Sequence, residues 1–476
     1  MRFVRIMICP RALGQFLLVV IMLTVSGRSL AEEQARDEAP APESESGEAA
    51  DATSLGLGML PPGSQALPRR AELPDPGEGL RVVVGPSARR REPVAIPEAL
   101  CAEGAGDACR EVISVLRNNM YLSGYFDVLP AKTYIADMSK ESLTNTSWAD
   151  WINVGATYLI KAEVKGDDPH DLAFRFYNVV EKQAYEVARQ DREGVARGSL
   201  RRVVHEFSNG VMEVISGTAG VFDTQILYSV VTGLQTKAIG VMDMDGHGAR
   251  ILHGGSSINM LPSWAPDGNV LYTSFRTGVP SIWLGNKRLA RDHHQYRRAR
   301  FSPCGTVLAV SVDRGSQSDI WLMSPEGEML ENLTNSWADE VSPTWSPDGS
   351  KIAFVSSRAG GPQIYVMNRD GSDQRRLTMA GGYNSTPEWG VGDKILFAGM
   401  DDGHSDIFTV DLEGNIVRLT QDQGNNRDPA WAPNGRHVTF TSNRDGPYQL
   451  WIMTECGRWQ FKVSDQSQVS APSWLR

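Results

Sequence analysis

A chain of 476 residues is too long for one ordinary hydrophobic core, so two domains plus additional segments are expected. Hydrophobic residues make up 41%, a globular proportion, and the formal net charge of -10 argues against a nucleic-acid surface, which is normally basic. No internal stretch is long and apolar enough to be read as a membrane-spanning helix, so the chain is not expected to be membrane-embedded.

Residues 1–31 read as a secretory signal peptide. Arg2, Arg5 and Arg11 supply the positive start, Phe16 to Val25 the short apolar run, and Ser29 and Ala31 the small residues before cleavage. Of the five cysteines, Cys9 leaves with the signal. Cys101 and Cys109 are close enough to close a small loop, and an oxidising compartment permits a disulfide whose presence the sequence leaves open. Cys304 and Cys456 fall in turn positions of the repeat described below. Residues 32–78, rich in Ala, Pro, Glu, Asp and Ser, bury too little apolar surface to offset the entropy of ordering. They are predicted to form a disordered acidic tether, read as a spacer in preference to an interaction arm.

Residues 79–217 mix strand and helix signals and predict a small α/β domain with one mixed sheet. Leu80 to Val84 and Tyr125 to Leu129 read as strands. Asp107 to Met120 carries Val112, Ile113, Val115 and Leu116 at helical spacing. Ser147 is placed to cap a short helix bearing Trp148 and Trp151. Thr157 to Val164, Leu172 to Val180 and Ala184 to Ala188 are predicted strands, and Ser199 to Ile215 a second long helix.

From residue 218 onward the pattern becomes short strands and turns, with one phrase repeated. It appears as PSWAPDG at Pro262, ARFSPCG at Ala299, PTWSPDG at Pro343, PEWGVGD at Pro387 and PAWAPNG at Pro429. The aromatic positions Trp264, Phe301, Trp345, Trp389, Trp431 and Trp474 are separated by 37, 44, 44, 42 and 43 residues. A period near forty with four strands per unit is the propeller signature. Phe222 to Leu252 holds three strands of a blade without its opening strand, and the terminal Ala471-Pro472-Ser473-Trp474 is that missing strand. Residues 218–476 are therefore predicted to be a six-bladed β-propeller closed by the C-terminal strand. The recurrent tryptophans and glycine turns are explained by blade geometry.

Three phrases are more specific than the repeat: LRNNMYLSGYFDVLPA at Leu116, GATYLIKAEV at Gly155 and ISGTAGVFDTQILYSV at Ile215. In order and spacing they resemble the TolB family, propeller proteins of the Tol-Pal envelope system, from Leu80 to Arg476. The resemblance implies a periplasmic, non-catalytic scaffold. Its expected partners are the peptidoglycan-associated lipoprotein Pal on one propeller face and TolA through the N-terminal region. Bacteriocin translocation domains are further expected partners. Support of outer-membrane integrity and of constriction at cell division follows from the same resemblance.

The segments joining each outer strand to the next inner strand are expected to be polar loops at the channel mouth, where recognition residues concentrate. They run from His253 to Leu261, His293 to Arg298, Trp337 to Ser342, Gly381 to Thr386, Gln423 to Asp428 and Ser464 to Ala471. The candidate partner-binding residues are His253, Arg297, Arg298, Glu340, Asn384 and Arg427. A histidine eleven residues before the first repeat tryptophan occurs in the family at a position linked to Pal contact, which favours His253; the plain alternative is a solvated histidine. A second reading is a propeller binding a glycan or peptidoglycan fragment, for which Trp337, Tyr296 and Tyr383 would supply stacking. A third, hydrolysis, lacks any GxSxG, HExxH or GxxxxGK[ST] phrase. No cofactor is implied, although an acidic channel has room for a weakly held cation such as calcium. Asp243-Met244-Asp245-Gly246 resembles the start of a calcium loop but lacks the later ligands and reads as a turn.

Overall fold

The computed structural model describes residues 90–475 apart from 291, 316, 402 and 467. The signal peptide, the tether and the strand at Leu80–Val84 lie outside the described residues.

The α/β domain is built on one mixed sheet of β1 (Glu92–Ala95), β2 (Leu100–Cys101), β3 (Phe126–Val128), β4 (Tyr158–Lys165), β5 (His170–Asn178), β6 (Gln183–Ala184) and β7 (Gln190–Val195). The order is β3-β1-β4-β5-β6, with β2 on β4 and β7 on β5. Alternation in β5 turns Leu172, Phe174 and Phe176 to one face. There α1 (Gly106–Leu122) lays down Val112, Ile113, Leu116 and Met120, and α3 (Leu200–Ser216) lays down Val203, Val204, Phe207 and Val211. Each such buried side chain contributes roughly 1.5 to 3 kcal/mol. Asn119 joins the two helices, its Nδ2 lying 3.0 Å from His205 Nδ1 and 2.9 Å from Ser208 Oγ. Cys101 and Cys109 are disulfide-bonded, tying β2 to the first turn of α1. The opposite sheet face is covered by α2 (Trp148–Asn153) and the segment before it, around buried Trp151, Leu159 and Tyr177. Gly217, at φ +72°, ends α3 in the left-handed conformation that suits glycine.

Two local expectations are corrected. Ser147 precedes α2 but its side chain makes no capping bond; instead its backbone N–H donates to Glu141 Oε1 at 2.8 Å. The predicted strand at Ala184–Ala188 is only β6 followed by a 3-10 turn at Glu186–Ala188. The longer partner of β5 is β7, whose sequence QDREGV is exposed over most of its length and gives no apolar alternation.

The rest of the chain forms six four-stranded sheets. Blade 1 comprises Gln225–Gly233, Thr236–Asp243, Arg250–His253 and the closing strand Val469–Trp474, which pairs antiparallel with Gln225–Gly233. The inner strands of blades 2 to 6 are Asn259–Trp264, Gln295–Phe301, Glu340–Trp345, Tyr383–Trp389 and Asn426–Trp431. The repeat tryptophans tie blades together. Trp345 Nε1 donates to Arg300 O of blade 3 at 3.0 Å, and Trp264 Nε1 to Ser473 O of the closing strand at 3.2 Å.

Every inner strand has a register shift just before its aromatic residue. In five blades a residue at φ of +48° to +57° (Leu261, Ser342, Thr386, Asp428, Ala471) precedes a proline there. Blade 3 has Arg298-Ala299 instead. The inner strands thus begin before the bulge, a correction to the expected channel-mouth loops. Their second halves are strand, because the bulge lets the chain continue pairing where polar residues and proline had suggested a loop.

Candidate functional site

The α/β domain sits on the face formed by the first and third turns of blades 6 and 1. His437 Nε2 lies 3.2 Å from the carbonyls of both Leu122 and Ser123, so it is the protonated nitrogen and donates to them. Arg436 reaches Tyr125 Oη at 3.3 Å and Ser216 O at 3.4 Å, and the Arg91 guanidinium lies 4.2 Å over the Trp459 ring. On the blade 1 side, Arg201 pairs with Asp245. The opposite face, bearing the turns between second and third strands and the blade-to-blade connectors, carries none of these contacts. It is the candidate binding face.

The six candidate residues fall in four different settings there. Arg297 and Arg427 hold the same place, one residue before the bulge, on blades 3 and 6, which stand opposite in a six-membered ring. Both are exposed; Arg297 pairs with Asp313 at 3.3 Å, and Arg427 lies 5.3 Å over Tyr448. Glu340 and Asn384 are fully buried inside the blades. Glu340 pairs with Arg358 at 2.9 Å and accepts from Ser356 Oγ at 3.0 Å, yet burial holds its carboxyl above the usual range. Asn384 Nδ2 donates to Gln363 Oε1 and Ala380 O, both at 2.9 Å. These two cannot meet a ligand without unpacking a blade interface.

His253 ends the outer strand of blade 1 and is half-buried, with its ring stacked 4.8 Å from Tyr272 of blade 2. Burial, and then the Arg276 charge, lower its pKa, so the imidazole is neutral near pH 7. It is a half-buried residue at the end of a strand rather than a solvated loop histidine.

Arg298 is buried one step deeper and lies 3.9 Å from Glu388 of blade 5. Arg300 reaches the same carboxylate at 2.9 Å, and its Nη1 reaches Ser473 Oγ of the closing strand at 3.3 Å. Blades 3, 5 and 1 are not neighbours, so these contacts pass through the central channel and bridge it. The sequence reading missed this pair. Its signal was visible in the repeat, where Ser263, Thr344, Ala430 and Ser473 occupy the position that Arg300 and Glu388 hold in the other two blades. Among the described residues, no group of three His, Cys, Asp or Glu side chains is arranged to hold a metal ion. Of the aromatics weighed for stacking, Tyr296 is fully buried and burial raises the pKa of Tyr383. Trp337 is 77% exposed, and Met379, on the next connector, is 61% exposed.

The fold and this face define a two-domain β-propeller protein, with a small α/β domain on one side of the ring and a charged mouth on the other. Residues 212–476 match the family described as "TolB beta propeller domain", and residues 80–185 that described as "TolB amino-terminal domain". The chain belongs to the TolB family. It is 32% identical over 411 residues to the Tol-Pal system protein TolB of Bordetella parapertussis, covering 83% of this chain and 90% of that one. The namesake of Anaeromyxobacter dehalogenans (strain 2CP-1) is 39% identical over 278 residues, a match spanning 56% of this chain and 62% of the relative. The crystal structure of TolB from Acinetobacter baumannii shares the fold, with a TM-score of 0.70 at 22% identity over 81% of this chain and 97% of that one. No helix among the described residues is long and apolar enough to cross a membrane.

Proposed function

We propose that the chain is a non-catalytic periplasmic scaffold of the Tol-Pal system. In this reading it binds Pal on the propeller face opposite the α/β domain and TolA through its N-terminal region. It thereby supports outer-membrane integrity and constriction at division, and it offers bacteriocin translocation domains the same face. The observation that carries the reading is the exposed set of Arg297, Arg427, Trp337 and Met379 on that face. Arginine and tryptophan anchors on a rigid scaffold are where binding energy concentrates. Glu388 is already satisfied by arginine, so a channel cation such as calcium would have to displace Arg300; the proposed binding needs none.

Calorimetric titration with the Pal domain from the same organism tests the reading. One-to-one binding is expected, weakened about tenfold by Arg427→Ala or Trp337→Ala with unchanged melting temperature. His253→Ala is expected to act less, through its stacking on Tyr272. Failure of the folded protein to bind Pal would remove the partner assignment. A muropeptide that binds instead, and is lost with Trp337→Ala, would establish the glycan reading.

A further inference from the structure

We propose that the α/β domain is the clasp of the propeller ring, holding a closure seam that lacks the polar lock found between blades 4 and 5 and between blades 5 and 6 and has no apolar cluster of its own. The proposal concerns the ring itself and does not depend on which partner binds the open face.

The lock is a buried relay of three side chains. Between blades 4 and 5, Thr378 Oγ1 accepts from Ile364 N at 2.9 Å and donates to Gln363 Oε1 at 2.7 Å. The same Gln363 oxygen accepts from Asn384 Nδ2 of blade 5. Between blades 5 and 6 the arrangement recurs: Thr420 Oγ1 donates to Asp406 Oδ1 at 2.6 Å, and Asn426 Nδ2 to that oxygen at 2.9 Å. Between blades 3 and 4, Thr334 and Asp319 repeat the first two members at 3.2 Å. There Ser318 N reaches across to Asp339 Oδ1 at 3.0 Å. Satisfied networks of this kind rigidify the interface they cross.

At the seam between blades 6 and 1 the corresponding positions are Gln449, Ser464 and Val469. Valine has no donor, and Gln449 Oε1 is buried without a hydrogen-bond partner among the described residues. Between blades 2 and 3, Ser281, Ala290 and Tyr296 stand there, and they form no relay among the described residues.

The apolar packing is divided in the same way. Five blade interfaces have clusters of their own, such as Val366, Trp389 and Phe397 between blades 4 and 5. The seam does not. Its residues Tyr228, Val469, Leu450, Ile452 and Phe461 belong to the single cluster that also contains α1 and α3 of the α/β domain. Contacts from that domain then fall on both sides: His437, Arg436, Trp459 and Phe461 on blade 6, and Asp245 on blade 1. The seam, which has neither a relay nor an apolar cluster of its own, is the interface the domain straddles.

Hydrogen exchange on the full chain tests this, comparing wild type with Trp459→Ala, Tyr121→Ala and Arg201→Gln. Amides of 225–233 and 469–475 are expected to exchange about tenfold faster in the variants, while 363–368 and 405–410 stay within about twofold. The milder Tyr121→Ala and Arg201→Gln carry the test if Trp459→Ala does not fold. Equal acceleration in every blade, or an unchanged seam in all three variants, would overturn the proposal.

Discussion

His437 shows how one side chain can carry both an interface and a pH dependence. Complete burial holds its pKa down to about 4, against the pull of the two carbonyls its Nε2 donates to. The folded state keeps this histidine neutral, while the unfolded chain takes up a proton as pH falls below about 6.5. Stability from this group is therefore fully present above about pH 6.5. It is lost progressively down to about pH 4, by about 3 kcal/mol in all. Glu455, raised by burial beside the same strand, has the opposite sign: its contribution is present in acid and lost as pH rises. Denaturant unfolding at pH 7 and pH 4.5 should show a smaller loss on acidification for His437→Gln than for wild type. Equal losses would assign the acid sensitivity elsewhere. This residue was not legible as special in the sequence, since a lone histidine beside a turn carries no sign of what will cover it. Arg300 and Glu388 were visible as repeat departures, but their meeting depends on ring closure.

The inner strand is the element that sequence reading half recovered. Its aromatic end was plain from the forty-residue period, and its proline marked the bulge. Its first residues looked like loop because Asn259, Glu340, Asn384 and Asn426 are polar, yet all four are fully buried. Each makes at least one hydrogen bond there, although composition counts such residues as solvent-exposed. The candidate site inherited the error, which is why Glu340 and Asn384, two of its six members, are buried inside the blades. Asn384→Ala should therefore cost about 1 to 3 kcal/mol by leaving Gln363 and Ala380 short of a donor. Trp345→Ala should cost about 3 to 5 kcal/mol through the cavity it leaves. In both variants the melting temperature should fall while Pal titration of the remaining folded protein is unchanged. Weakened binding at constant melting temperature would return Asn384 to the recognition surface.

At the scale of the whole molecule, the six-bladed ring and the α/β domain were both readable, because periodicity and helical spacing are local properties. The placement of the domain across blades 6 and 1 was not, since it rests on pairs such as His437 with Leu122, which are 315 positions apart. A single apolar cluster running through both parts makes them one cooperative unit. Calorimetry of the mature chain should show one unfolding peak, with calorimetric and van't Hoff enthalpies in agreement. Two resolved peaks would mean that the domain melts off the ring before the blades do.

The closing strand sets an order of events during synthesis. Gln225–Gly233 leaves the ribosome early, yet its partner Val469–Trp474 is translated more than two hundred residues later. Until then the first blade presents an unpaired edge, the kind of template on which neighbouring chains assemble into aggregates. A nascent chain that cannot complete its circle prematurely also stays threadable. A nonsense codon at position 469, removing 469–476, would leave every blade but one with its four strands and the product prone to self-association.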